Sequence, residues 1–206
     1  MNKIIKISII SLVVAFALYN SFTFEKLDVK RERASVKDFN PRQKAEYLWD
    51  NKLDEILETA VDLKSFDTQL ADAPDALIQQ NGKVIGITSM VSFLVKGAAM
   101  QAAPGADEIA VEIADGHAAY TLQIKYIVGN AARDALGYFK IDEFKNTMDF
   151  NAMSTEINQL IKHREIVKLD SIKPGETIQF IGALEINSES MPSQIAIVPL
   201  KIEAGN

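Results

Sequence analysis

The chain has 206 residues, 48% of them hydrophobic, with a formal net charge of −6 and no cysteine. That length and apolar content suffice for one good core plus a smaller accessory unit, while the acidic balance lacks the basic footprint that nucleic acid requires. Without a thiol, the chain can form no disulfide, thiolate metal site, cysteine nucleophile or thioether-linked lipid.

Lys3 and Lys6 precede an apolar run from Ile7 to Leu18, followed by Tyr19-Asn20-Ser21 and Phe22-Thr23-Phe24. A basic start and an apolar run of this kind fit an export signal, with Ala15-Phe16-Ala17 as a small-x-small cleavage candidate. If retained, Ile7 to Phe24 is 18 residues, within the roughly 17–25 that a membrane-spanning helix needs. The run lacks a polar face, which argues against an ordinary buried helix. Residues 1–24 are therefore read as a signal peptide or membrane anchor. Lys26, Lys30, Arg31 and Arg33 follow and blur any positive-inside bias. Residues 25–38 are mixed in charge and poor in apolar side chains, which predicts a solvated tether.

A helical domain is predicted over 39–82. Asn40-Pro41 is a helix start, since asparagine caps free N–H groups and proline fits the first turn. Ala45, Leu48, Trp49, Leu53, Ile56, Leu57 and Ala60 then recur at helical spacing, with Trp49 read as a packing anchor. Asp50, Asp54, Glu55, Glu58 and Asp62 are spread as a solvated face rather than as paired catalytic carboxylates. Ser65 is the expected cap of a short helix over Phe66 to Leu70. Pro74 opens another that Gly82 stops.

From 83 to 206 the periodicity is that of strands. Val91, Phe93 and Val95 alternate with polar and apolar neighbours toward Met100; Ile109, Val111 and Ile113 follow. Asp115-Gly116 makes a tight turn, and Tyr120, Leu122, Ile124, Tyr126 and Val128 continue a three-stranded meander. A bend between Gly129 and Gly137 leads to helices over Ile141 to Met148 and from about Asn151 to His163, the latter with Met153, Ile157, Leu160 and Ile161 inward. His117 and His163 show no ligand spacing, and His163 suits a helix C-terminus. Strands Thr177 to Ile186 and Gln194 to Glu203 close the chain. Pro199 marks the last one as an edge strand or a strand with a local irregularity. This order predicts an α+β fold: a small N-terminal helical domain, then an OB-like five-stranded β-barrel with a helix between strands 3 and 4.

The segments AEYLWDNKL (45–53), AVDL (60–63), SFLVKG (92–97), LQIKYIVGNAARDALGYFKIDEFKNTMDF (122–150), FIGALEI (180–186) and IAIVPLKIE (195–203) resemble domain-of-unknown-function family 2291, described as predicted periplasmic lipoproteins. ARDALG is the most specific part. The resemblance implies an exported, membrane-tethered protein of the two-part architecture above, and a role beside a sugar ABC transporter or its solute-binding protein. It supplies no catalytic residue. Family members usually carry a lipobox cysteine, which this chain lacks, and that favours retention of residues 7–24 as the anchor. The expected location is the periplasmic face of the bacterial inner membrane, held by an N-terminal helix; the alternative is a soluble periplasmic protein after cleavage.

No G-x-S-x-G, phosphate-loop, dinucleotide or H-E-x-x-H pattern is present, so neither an enzyme nor a cofactor or metal is expected. The polar groups without an evident structural duty are Asn130, Arg133 and Asp134. In one reading Arg133 offers a donor fork to a ligand or partner, Asp134 orients it, and Asn130 adds a donor and an acceptor. In the other, favoured by the local chemistry, the pair caps the bend. Adjacent residues usually point apart, which argues against a mutual salt bridge. The function expected is a non-catalytic, tethered interaction module, with a carbohydrate- or small-ligand-binding face on the OB-like domain as the alternative.

Overall fold

The computed structural model describes residues 39–103, 105–190 and 192–205. The expected signal or anchor (1–24) and tether (25–38) lie outside the described residues. Among the described residues no helix is long and apolar enough to cross a membrane.

Helix α1 (Pro41–Asn51) starts where Asn40 predicts, its side chain accepting from the Gln43 N–H at 3.0 Å. The expected long helix is broken at Lys52, whose φ of −129° leaves the helical region, and α2 (Leu53–Leu57) follows. The apolar face survives the break: Ala45, Leu48, Trp49, Leu53 and Leu57 are all buried. Strand β1 (Val61–Asp62) comes next, then α3 (Leu63–Asp72) and α4 (Pro74–Asn81). Asp62, not Ser65, caps α3, accepting from the Ser65 N–H at 3.0 Å. The carboxylate lies one turn earlier than the hydroxyl and is the stronger acceptor.

The strands are β2 (Met90–Met100), β3 (Glu108–Val111), β4 (Ala119–Gln123), β5 (Thr177–Asn187) and β6 (Gln194–Ala204). They form one six-stranded sheet in the order β1-β2-β5-β6-β4-β3, parallel at β1–β2 and β4–β6 and antiparallel elsewhere. The expected meander is only half present. β3 and β4 form a hairpin across Asp115, which takes the positive φ of 61° that such a turn needs. β2 instead pairs along its whole length with β5. β4 also ends at Gln123, because the N–H groups of Ile124 and Lys125 both turn back to the Asp107 carbonyl.

Around β2, β5, β6, β4 and β3 the neighbours are those of an OB fold, including its one parallel pair. The closed five-stranded barrel expected from sequence is corrected in one respect: β2 and β3 share no ladder, so the sheet is open. The physical reason is that β1 takes part of the β2 edge, at Val95 and Lys96, on the side where closure would occur. Nor is a helical domain of its own confirmed. Residues from Asn40 onward form one compact unit, and Leu63, Phe66, Leu70 and Leu77 from α3 and α4 share a core with Phe93, Phe180, Ile197 and Ile202 from the sheet.

Between β4 and β5 lie α5 (Ala131–Leu136), a 3₁₀ turn at Ile141–Glu143, and α6 (Thr147–Leu160). Asn146 caps α6 by accepting from the Asp149 N–H at 2.8 Å, so the helix begins earlier than the spacing of its apolar residues indicates. After Leu160 the helix widens into a π turn (Ile161–Glu165) and then tightens into 3₁₀ geometry (Ile166–Ser171). The π turn brings Glu165 inward, where it accepts from the Ile202 N–H at 2.8 Å and from Lys168 Nζ at 2.7 Å.

Strand β6 is central rather than an edge, and the irregularity anticipated from Pro199 is real. The β5–β6 register shifts between Ile181 and Gly182, with Gly182 opposite Pro199. A Cβ at Gly182 would sit 2.5 Å from Ile197 Cγ2 and 2.9 Å from the Val198 carbonyl oxygen. Gly182→Ala is therefore expected to destabilise the protein by about 2 kcal/mol, because backbone must yield. Urea unfolding checks this, and an unchanged midpoint would show that the strands part without cost.

Candidate functional site

The bend opens at Gly129, with φ +84°, and closes at Gly137, with φ +61°. What reads in sequence as a bend is the single short helix α5. Its C-terminal carbonyls do not rely on the backbone alone: Lys83 Nζ donates to the Ala135 oxygen at 2.7 Å and to the Leu136 oxygen at 3.2 Å. Burial lowers the Lys83 pKa from its usual value. A Cβ at Gly137 would meet Lys83 Cδ at 2.8 Å, so glycine serves both the left-handed φ and the lysine's approach.

Arg133 is 3% exposed. Its Nε donates to Asp134 Oδ1 at 2.6 Å, and its Nη1 donates to the Phe150 carbonyl at 3.1 Å and to Asn151 Oδ1 at 3.2 Å. The guanidinium carbon lies 3.6 Å from the Phe150 ring centroid. The salt bridge between neighbours that sequence argued against is thus present, because the long arginine curls back while the short aspartate stays close to its own backbone. Glu185 of β5 feels the same pair. Burial pushes its pKa up, Asp134 adds to the rise, and Arg133 opposes it.

The three residues singled out in sequence occupy different places. Asn130 is exposed at the N-terminus of α5, where its side chain makes no capping bond. Arg133 lies beneath the surface, and Asp134 is its counter-ion. Asn130 lines a cleft of about 410 Å³ whose other walls are Ile127 to Gly129 and one face of α6. Arg133 reaches that cleft only through Asn151.

The α6 wall was not recognised from sequence. Asn151, Ser154, Thr155, Asn158, Gln159 and Lys162 fall at i, i+3, i+4, i+7, i+8 and i+11, a polar stripe along one helix face. The apolar set Met153, Ile157 and Ile161 on the opposite side is fully buried and dominates the periodicity. The amide-rich stripe was a legible signal: a solvated helix face usually carries charge, and this one carries a single lysine. Asn158 ties the helix to the bend, donating from Nδ2 to the Gly129 carbonyl at 3.0 Å. Ser154 is 5% exposed, and its Oγ is buried without a hydrogen-bond partner.

A larger concavity, about 490 Å³, lies between the Gln101–Ala106 loop and the 3₁₀ segment. It also holds an unpartnered buried oxygen, Gln101 Oε1, but Gln101 is only half-buried and its amide is already engaged with the Leu169 carbonyl. Among the described residues no cluster of His, Asp or Glu is arranged to hold a metal ion. The cleft at the bend has amides, hydroxyls and one amine, with no carboxylate among its lining residues. Such a set can donate to and accept from a polar ligand.

Comparisons with known proteins agree with this architecture. A family model described as "Predicted periplasmic lipoprotein (DUF2291)" matches residues 12–203. The chain is similar in fold to the crystal structure of an OB-fold protein from Thermotoga maritima MSB8, with 23% sequence identity and a TM-score of 0.70, over 82% of this chain and 100% of that one. A search of the curated proteins finds no match.

Proposed function

The chain belongs to the DUF2291 family of predicted periplasmic lipoproteins, and from that premise we propose that it is a non-catalytic, membrane-tethered binding module whose working surface is the cleft beside the Gly129–Asn130 bend. The observation that carries the reading is the buried Oγ of Ser154, which has no hydrogen-bond partner among the described residues although the residue lines an open polar cleft. A buried hydroxyl left unpaired costs stability, so its retention is best accounted for by a group that arrives from outside. The tether in this reading is the N-terminal apolar segment, since the chain has no cysteine to carry a lipid. Arg133 is a positioning residue: it fixes Asn151 and the start of α6 rather than touching the ligand. The transporter or solute-binding protein that the family resemblance implies is the proposed setting for this binding.

Fractionation of cells producing the full chain, combined with cross-linking, tests the proposal. The protein should be recovered with the inner membrane, and added protease should cleave it only once the outer membrane is opened. A Thr155→Trp variant, which fills the cleft from its exposed rim, should lose whatever the wild-type chain captures while keeping its melting temperature. Recovery from the cytosol would overturn the tethered periplasmic reading. Unchanged capture by the Trp variant would overturn the choice of cleft.

A further inference from the structure

Hydrogen bonds already made inside the protein fix what the cleft still offers. Asn151 uses one lone pair of Oδ1 to accept from Arg133, which leaves mainly its Nδ2 amide donors. Asn158 uses one N–H of Nδ2 to reach the Gly129 carbonyl, which leaves its Oδ1 acceptor and its second N–H. Ser154 Oγ has both its donor and its acceptor capacity unspent. Lys162, in the π turn, is the one charged side chain lining the cleft, and it makes no ion pair or hydrogen bond among the described residues. π turns are enriched at functional sites, where they re-aim a side chain.

From this arrangement we infer that the cleft takes a small hydroxylated carboxylate. Lys162 and the Asn151 amide would receive the carboxylate, while Ser154 Oγ and Asn158 Oδ1 would receive hydroxyl groups. The inference rests on the binding-module reading above and narrows its ligand class. A lysine in a cleft whose lining has no carboxylate favours an anion. A hydroxylated carboxylate, whose carboxylate accepts and whose several hydroxyls both donate and accept, matches the mixed set over a longer span than the compact, acceptor-rich inorganic phosphate does. The lining contains no aromatic ring, so the stacking platform that commonly receives a neutral sugar ring is not part of it. A volume of about 410 Å³ falls in the lower part of the roughly 300–1,000 Å³ typical of small-molecule sites.

The full chain in detergent, titrated with gluconate, sorbitol and inorganic phosphate by calorimetry and thermal shift, tests the inference. Gluconate should bind and raise the melting temperature. Sorbitol has matching hydroxyls without the carboxylate and should bind at least tenfold more weakly, as should phosphate. Lys162→Met should reduce gluconate affinity at least tenfold, and Ser154→Ala severalfold, with the unliganded melting temperature near wild type for the first and unchanged or higher for the second, which removes an unpaired hydroxyl. Equal binding of sorbitol and gluconate would overturn the anionic assignment; preferential phosphate binding would overturn the carboxylate. No binding of gluconate, with capture still lost in Thr155→Trp, would overturn the ligand class and leave the cleft assignment standing.

Discussion

Arg133→Ala is expected to destabilise the protein by about 4 kcal/mol, the range for removing one partner of a buried ion pair. Four contacts disappear together: the bond to Asp134, the bonds to the Phe150 carbonyl and Asn151, and the face of the Phe150 ring. Asp134, only 13% exposed, is then left facing Glu185 without a counter-charge. Arg133→Lys keeps the charge but cannot reproduce a planar fork that donates in several directions, so it should fall between wild type and alanine. Urea unfolding followed by circular dichroism measures the loss. A midpoint shift equivalent to less than about 1 kcal/mol would show that the arginine is dispensable to the fold and return it to a direct binding role.

Asp67→Ala should cost about 3 kcal/mol, for a different reason. This carboxylate on α3 is 2% exposed and gathers the turn before β4. It accepts from the His117 N–H at 2.7 Å, the His117 ring at 3.1 Å, the Ala118 N–H at 3.1 Å and the Tyr120 hydroxyl at 2.9 Å. The Tyr120 side chain is itself buried, so its hydroxyl has no water to fall back on. At this chain length the loss corresponds to a melting temperature lower by about 6–12 °C. A drop under about 2 °C would mean that water replaces the carboxylate and that the cluster contributes little.

The same aspartate makes stability depend on pH. Burial alone would raise its pKa, but the His117 backbone, the Tyr120 hydroxyl, the His117 ring and the Ala118 backbone together hold it below the usual carboxylate value. The unfolded chain therefore binds a proton on this group at higher pH than the folded chain does. The stabilisation is present above the unfolded pKa, about 4, and is lost as pH falls through the lower folded value. Asp67→Asn should remove that part of the acid dependence. Parallel acid-unfolding curves for wild type and variant, with no difference in slope below pH about 4, would assign the acid sensitivity to other carboxylates.

Much of the architecture was legible along the chain because it depends on neighbours a few residues apart. Asn40-Pro41 starts a helix through its own side chain, and the apolar stripes of α1 and α6 follow from helical spacing. β5 and β6 lie within a residue of where alternation puts them. Pro199 announced a disturbed ladder because it has no N–H to give. The family, too, was readable from the segments around ARDALG, and its model matches residues 12–203.

Partners distant in sequence decided the rest. Alternation says that β2 is a strand, but only three-dimensional pairing assigns it to β5 and lets Val61–Asp62 take its other edge, leaving the sheet open. Asp67 lies within a short helical stretch and carries no local signal, yet its bonds reach His117, Ala118 and Tyr120, about fifty positions away. Arg133 reads in sequence as a donor fork open to a ligand, and the fold buries it with its donors turned to the Phe150 carbonyl and Asn151. The polar stripe from Asn151 to Lys162 was visible as a pattern, but it became a cleft wall only when the Gly129 bend folded over it. Local backbone chemistry and periodicity therefore determined which elements form and which faces turn inward. Tertiary structure alone determined which strands pair and which polar groups find a partner within the protein, because a buried hydrogen bond depends on the atom that arrives opposite, not on the residue next in line.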